Sequence, residues 1–223
     1  MCARTRSSTA DERRREHSEY RLILIVDIEE FSAPHRDDTT RLRLQADLHR
    51  LLTAALSQSG IDAAQYTMRS TGDGWLVLID PAVGKPRVVG LVANRLAVRL
   101  RRRNRRAGLA DQLRVRLVVH AGDLLVDPDE RMVGDQLNFA FRLLDAQQLR
   151  VLLKLATGPV VVCASDDVHR QVIAQRHERL DPAAFEPVWL ECKQTRGLGW
   201  VRVPDESGVV ARAGLLAAEV PVS

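Results

Sequence analysis

Aromatic rings are scarce in this chain, with three tryptophans, two tyrosines and four phenylalanines among 223 residues. Aliphatic side chains must therefore fill the interior. Cysteine is as thin: Cys2, Cys163 and Cys192 have no metal-ligand spacing and leave an odd one over. That argues against a structural disulfide and agrees with a reducing compartment. No apolar run approaches the roughly 20 residues of a membrane helix, and residues 1–20 are charged with no hydrophobic segment. A cytoplasmic protein without a membrane partner is expected. There is no internal repeat or low-complexity linker, and one good-sized core accommodates the length.

Charge is modest in sum, +4, but uneven in place: six arginines crowd residues 99–106, at the end of a helix that begins near Pro86. Cations at a helix C-terminus complement the backbone dipole, and a solvated basic face is the usual outcome. A nucleic-acid surface is the competing idea. It lacks interleaved aromatics and any reader motif, so no nucleic-acid partner is expected.

What is present is a pair of acidic strand ends. Leu22-Ile23-Leu24-Ile25-Val26 is an apolar run short enough to be a buried strand, and it stops on Asp27, with Glu29 and Glu30 following. Arg69-Ser70-Thr71-Gly72-Asp73-Gly74-Trp75-Leu76-Val77-Leu78 reads as a hairpin, because the Asp-Gly step marks a tight turn whose glycine accepts a positive φ. Asp27 and Asp73 then stand at the mouths of neighbouring strands, where divalent cations would sit between them. Each taken singly also fits an aspartate bonding local backbone.

The rest of the chain follows in order. Residues 1–20 read as a flexible segment, 21–204 as one domain and 205–223 as a tail or arm. Strand 21–26 leads through a loop at 27–36 to a helix at 39–59, whose leucines Leu44, Leu48, Leu51, Leu52 and Leu56 recur at helical spacing, with Asp37, Asp38 or Thr39 as cap. Segments 63–70 and 75–79 form the hairpin, and 88–106 a second helix. Residues 113–119 alternate arginine with aliphatics, a strand with one wet face, which His120-Ala121-Gly122 turns into a short continuation at 124–126. A third helix at 134–148, a strand at 159–163, a helix at 165–175 and a hairpin of 188–193 with 199–203 complete it. This order predicts an α+β fold, helices covering one face of a mostly antiparallel sheet.

At the third helix a resemblance enters. Val133-Gly134-Asp135-Gln136-Leu137-Asn138-Phe139-Ala140-Phe141-Arg142-Leu143 resembles the glycine, asparagine, arginine helix of class III nucleotidyl cyclases. Asp27-Ile28 with Phe31-Ser32, Thr71-Gly72-Asp73-Gly74 and Val118-Val119-His120-Ala121-Gly122 match the same family in the same order, over roughly residues 22–203. The resemblance implies a ferredoxin-like βαββαβ core with helices packed around the sheet, and conversion of a nucleoside triphosphate to a 3′,5′-cyclic nucleotide and pyrophosphate. It implies that Asp27, Asp73 and the Ile28 carbonyl hold two Mg²⁺ or Mn²⁺ ions per active site, with Phe31 and Ser32 beside the substrate. Asn138 would orient the ribose and Arg142 meet charge on the α-phosphate; four residues apart, they share one helical face. The helix pattern alone favours a cap or local hydrogen bond for Asn138 and a surface pair with Asp135 or Asp145 for Arg142; the accompanying motifs favour the catalytic roles. Lys193, or Arg196 if the register slips, falls where the family carries a lysine toward the terminal phosphates. The resemblance further implies a homodimer with shared sites, Asp27 and Asp73 of one subunit facing Asn138 and Arg142 of the other.

Two departures stand out. Where purine-specific members carry their base-reading residues, this chain has Arg69 and Arg131. Arginine only donates, which suits the carbonyls of a pyrimidine, UTP before CTP, better than purine amines. A stand-alone cyclase without the purine code resembles the pyrimidine cyclases of bacterial anti-phage defence, whose cyclic UMP or cyclic CMP acts on a separate effector. A purine cyclase with another base-reading arrangement is the alternative. Glu30 stands where the family usually has glycine, and a carboxylate there would repel triphosphate unless it turns outward. That departure supports a rival reading, a cyclase-like nucleotide-binding or regulatory protein without turnover. His120 is expected to be structural, with no evident partner.

Overall fold

The structure is a computed structural model describing residues 16–127, 129 and 131–217, and it is built on one long central strand. β1 (His17–Ile28) lies between β3 (Gly74–Ile79) and β4 (Val115–Val126). The sheet order is β2-β3-β1-β4-β6-β8-β7, with β2 Tyr66–Ser70, β6 Val160–Ser165, β7 Glu186–Cys192 and β8 Thr195–Arg202. A short strand β5 (Met132–Val133), not anticipated from the sequence, pairs with β4. All pairings are antiparallel except β4 with β6. Residues 17–126 follow the expected βαββαβ order, so the mixed α+β architecture holds.

Helices cover both faces of the sheet, not one. α1 (Asp38–Gln58) and α3 (Ala93–Asn104) pack on the face presented by Leu22, Leu24 and Val26. α4 (Asp135–Asp145), α5 (Gln147–Leu155) and the single turn α7 (Val209–Arg212) pack on the face presented by Ile23 and Ile25. A strand apolar on both sides shows no alternation, and Leu22 to Val26 has none. The leucines of α1 that recur at helical spacing are all buried, each contributing about 2 kcal/mol of burial. Asp37 caps α1, its carboxylate accepting from the Thr40 amide at 2.7 Å.

Several boundaries differ from the sequence reading. β1 starts at His17, so 17–20 are strand and not a flexible segment, because β4 runs long enough to pair with them, Tyr20 opposite Asp123. Residues 1–15 and 218–223 lie outside the described residues. β4 does not turn at His120-Ala121-Gly122; it continues to Val126 along β1. Nor is one face of β4 wet: Arg116 is buried, and it turns to a carboxylate on β1. The predicted third helix breaks at Ala146, whose ψ is 133°, and α5 follows with Leu149, Leu152 and Leu153 buried. The second helix opens with α2 (Lys85–Arg87) and a wider turn at Val88–Val92. The helix after β6 is likewise a turn, α6 (Asp166–Val168), followed by a wider one at His169–Ile173.

The described part of 205–223 is a docked tail. Val209 and Val210 are buried, Leu216 bridges to Val188, and the Glu206 carboxylate accepts from both the amide and the hydroxyl of Thr157 at 2.9 Å. Cys163 and Cys192 are free thiols. Among the described residues no helix is long and apolar enough to cross a membrane.

Candidate active site

The site begins with a close approach of two strands. Asp27, next to last in β1, lies directly opposite Gly74 of β3, and the Ile28 amide donates to the Asp73 carbonyl at 3.0 Å. A Cβ on Gly74 would stand 2.0 Å from the Val26 carbonyl oxygen and 2.9 Å from the Asp27 Cα, so only glycine lets the hairpin close on β1. The positive φ in this turn, 95°, belongs to Gly72 and not to the glycine of the Asp-Gly step. Gly74 is needed for space, Gly72 for the turn. From α1, Gln45 pins the turn by donating to the Gly72 carbonyl at 2.8 Å and the Ser70 hydroxyl at 3.0 Å.

Asp73 is exposed and opens on a cleft of about 460 Å³ lined also by Ile28, Phe31, Ser32, Arg116 and Arg150. Asp27 is buried beneath it. One of its carboxylate oxygens pairs with Arg116 Nη2, while Oδ1 is buried without a hydrogen-bond partner. Burial and the neighbouring Arg150 push the Arg116 guanidinium down to about 10, so it remains charged at neutral pH, opposite Asp27. Arg116 Nη1 donates to the Leu144 carbonyl at 3.0 Å, which ties the site to the end of α4.

The loop carrying Phe31 and Ser32 is held by Arg36, a buried guanidinium that donates to the carbonyls of Glu29, Glu30, Ala110 and Gln112. Glu30 has a left-handed φ of 53°, the conformation glycine adopts most readily. Its carboxylate turns toward Lys154, 3.6 Å away.

Asn138 and Arg142 line a different cleft, of about 350 Å³, with Asp135, Gln136, Phe139 and Asp167. They share one face of α4, as their spacing requires. Arg142 donates to the Thr195 hydroxyl at 2.5 Å, and neither Asp135 nor Asp145 pairs with it. Within one chain the Asn138 and Arg142 cleft is therefore separate from the Asp27 and Asp73 cleft. Behind Gln136 and Phe139 of this cleft, His120 is buried with two partners that its sequence context did not reveal: Nδ1 faces the Ser165 hydroxyl and Nε2 the Gln136 amide oxygen, each at 2.8 Å. Gly122 leaves the room for Gln136, since a Cβ there would lie 2.4 Å from its side chain. Burial holds the His120 imidazole below its usual pKa.

The remaining predicted residues lie elsewhere. Arg69 is exposed on β2. Arg131 is drawn into its own loop, donating to Asp127 at 2.7 Å and Asp129 at 3.0 Å. Lys193 is exposed in the two-residue turn between β7 and β8, beside the hairpin end that Arg142 touches, and lines neither cleft. Sequence reasoning missed Arg116, Arg150, Arg36 and Gln45. Only Arg116 left a signal, as a charge inside an otherwise aliphatic strand.

Among the described residues no three His, Cys, Asp or Glu side chains cluster as metal ligands. Two carboxylates and a backbone carbonyl nevertheless suit Mg²⁺, which is commonly held by one or two carboxylates plus substrate phosphates. The unpartnered Asp27 Oδ1 fits that role; Arg116 occupies the other oxygen.

No family profile matches the chain, and no curated protein matches it. Solved structures do. An adenylate/guanylate cyclase/hydrolase from Silicibacter pomeroyi is 21% identical with a TM-score of 0.61, over 85% of this chain and 99% of that one. The guanylyl cyclase Cya2 is 16% identical with a TM-score of 0.58, over 90% and 98%. The guanylate cyclase domain of RhGC from Catenaria anguillulae, in complex with GTP, is 14% identical with a TM-score of 0.53, over 86% and 100%. The chain has the fold of class III cyclase catalytic domains.

Proposed function

We propose that the protein is a nucleotidyl cyclase that converts a nucleoside triphosphate to a 3′,5′-cyclic nucleotide and pyrophosphate. The observation that carries this reading is the closure of the Asp73 turn on the end of β1, which places Asp73 and Ile28 on one cleft with Asp27 beneath it. In the reaction the ribose 3′ oxygen bonds to the α-phosphorus, the bond to the pyrophosphate oxygen breaks, and the hydroxyl proton is released. Positioning and charge dominate such a transfer. Arg116 and Arg150 lie in the cleft and would meet the triphosphate, while Asn138 would orient the ribose and Arg142 stabilise the α-phosphate.

Asp27, Asp73 and the Ile28 carbonyl would hold Mg²⁺ or Mn²⁺, which when bound favours ionisation of the attacking hydroxyl and neutralises phosphate charge. Because the two clefts are separate in one chain, the complete site needs a second copy: a homodimer in which the Asn138 and Arg142 cleft of each subunit faces the Asp27 and Asp73 cleft of the other. In that dimer Lys193 would reach the terminal phosphates from the β7–β8 turn.

For the base, Arg69 and Arg131 favour a pyrimidine triphosphate, UTP before CTP, with the product serving as an alarm signal in anti-phage defence through a separate effector. Arg131 would have to leave Asp127 and Asp129 to read it. The second reading, a cyclase-like nucleotide sensor, is favoured by the Asp27–Arg116 pair, which occupies one oxygen of a metal-binding carboxylate.

The test is incubation of the protein with each of the four ribonucleoside triphosphates and Mn²⁺. A cyclic product from one of them, lost in Asp73→Ala, is expected. Tight triphosphate binding without pyrophosphate release would support the sensor instead. Arg69→Lys combined with Arg131→Asp probes base choice, and an unchanged preference would remove the donor argument.

A further inference from the structure

A strongly basic concavity lies away from both clefts. Between α1 and α3 is a cleft of about 610 Å³ that Arg50, Arg95, Arg99, Arg102 and Arg103 line. Arg95, Arg99 and Arg102 sit at i, i+4 and i+7, one stripe along α3, while Leu96 and Leu100 of the same helix face the core. Among the described residues the one acidic partner of these arginines is Asp47, whose two oxygens take Arg50 and Arg103 at 2.9 and 3.0 Å. Among the described residues Arg95, Arg99 and Arg102 make no ion pair and no hydrogen bond.

Two of those guanidiniums are more than surface charge. Arg95 Nη1 and Arg99 Nε are buried from solvent with no acceptor. A buried donor without an acceptor carries a desolvation cost that a charged acceptor would remove. Buried Arg36, by contrast, directs its donors to four carbonyls. Single unpartnered donors occur elsewhere, at Arg41, Trp75 and Arg202, but among the described residues only here do two neighbouring guanidiniums that line one cleft each have one. Three neighbouring cations without counter-charge also repel one another, so the arrangement favours an anion that enters the cleft.

We infer that this cleft binds a small ligand carrying two or more adjacent phosphates, such as a nucleoside polyphosphate or inorganic triphosphate. Successive phosphates would run along the Arg95, Arg99 and Arg102 stripe. Leu51 and Val98 offer an apolar wall, Gln58 offers a donor and an acceptor, and Asn94, whose oxygen already accepts from Arg202 at 2.7 Å, offers an amide donor, the mixture that a nucleoside would need. A concave cleft with buried donors suits a compact polyanion better than the flat, aromatic-bearing groove that tracks a single strand. The inference is independent of turnover in the cleft of Asp73.

Calorimetric titration of inorganic triphosphate into the full chain, without divalent metal, tests it. One class of sites should weaken at least about tenfold in Arg95→Gln with Arg99→Gln, the loss of two charge-assisted contacts. Val98→Glu, at a residue 61% exposed, should weaken the same class by placing a carboxylate in the cleft without removing an arginine. Asp73→Ala should leave that class intact, so this site and the cyclase reading fail separately. Unchanged triphosphate binding in both folded cleft variants would overturn the inference. So would binding of a short RNA duplex through these arginines with no triphosphate binding.

Discussion

Arg116 of β4 stands directly across the ladder from Asp27 of β1, and its guanidinium closes on the Asp27 carboxylate in a pair whose side chains are only 5% and 6% exposed. Removing one partner of such a pair leaves a charge buried alone. Arg116→Ala is therefore expected to cost about 3–5 kcal/mol in urea denaturation. Asp27→Leu with Arg116→Met should recover most of that loss while abolishing cyclic nucleotide formation. A single variant as stable as the wild type would show that the pair is not formed in solution.

Gly74→Ala tests the closure of the turn on β1. The added methyl meets the Val26 carbonyl oxygen, and backbone must shift to relieve the contact. A loss of about 3 kcal/mol is expected from overpacking of this severity, together with loss of activity. Wild-type stability and rate would mean that β1 and β3 are not held at this distance.

Shared sites make a distinctive prediction for mixtures. Asp73→Ala and Arg142→Ala should each be inactive alone. Random pairing makes about half of the mixed dimers hybrid, each with one intact site, so roughly a quarter of the wild-type rate should return on mixing. No recovery, despite dimers that exchange subunits, would remove the shared-site arrangement.

Glu30→Gly replaces a left-handed carboxylate residue that lines the cleft of Asp73. Relief of the αL strain and the added freedom of the unfolded chain offset one another, so stability should change little. Removing a negative charge near triphosphate, worth about 1 kcal/mol at the surface, should lower KM roughly fivefold. A KM unchanged in steady-state assays would show that Lys154, 3.6 Å from the carboxylate, already offsets its charge.

Acid sensitivity should report His120. Burial holds its folded pKa below the ordinary 6.5, so between those values the unfolded chain binds the proton that the native state refuses. Stability contributed by the neutral ring is present above pH 6.5 and falls as pH drops toward the folded pKa. His169, also lowered by burial, acts in the same window. His120→Gln should flatten part of the fall in Tm between pH 7.5 and 5.5, and an identical slope in the variant would assign the effect elsewhere.

Asp27 and Asp73 were legible as candidates because a carboxylate ending an apolar strand and an Asp-Gly turn are local patterns; Asn138 and Arg142 became candidates through the resemblance, since a polar pair at i, i+4 alone fits a helix surface. The helix of Leu44 to Leu56 was equally plain, since one apolar face repeats within the element. Arg116 was misread for the opposite reason. Its alternation with aliphatic neighbours is the pattern of a wet strand face, and only the opposing Asp27 makes burial affordable. His120 likewise showed no partner in sequence, as Ser165 and Gln136 come from β6 and α4.

The order of acidic strand ends, glycine-bearing turn and polar helix was set by the sequence alone, because each depends on residues within a few positions of one another. Tertiary structure decided which charges meet. It buried Arg116 against Asp27, gave His120 its partners Ser165 and Gln136, and placed Asn138 and Arg142 in a cleft separate from Asp73. Those pairings join segments far apart in the chain, and strand register and helix packing bring them together.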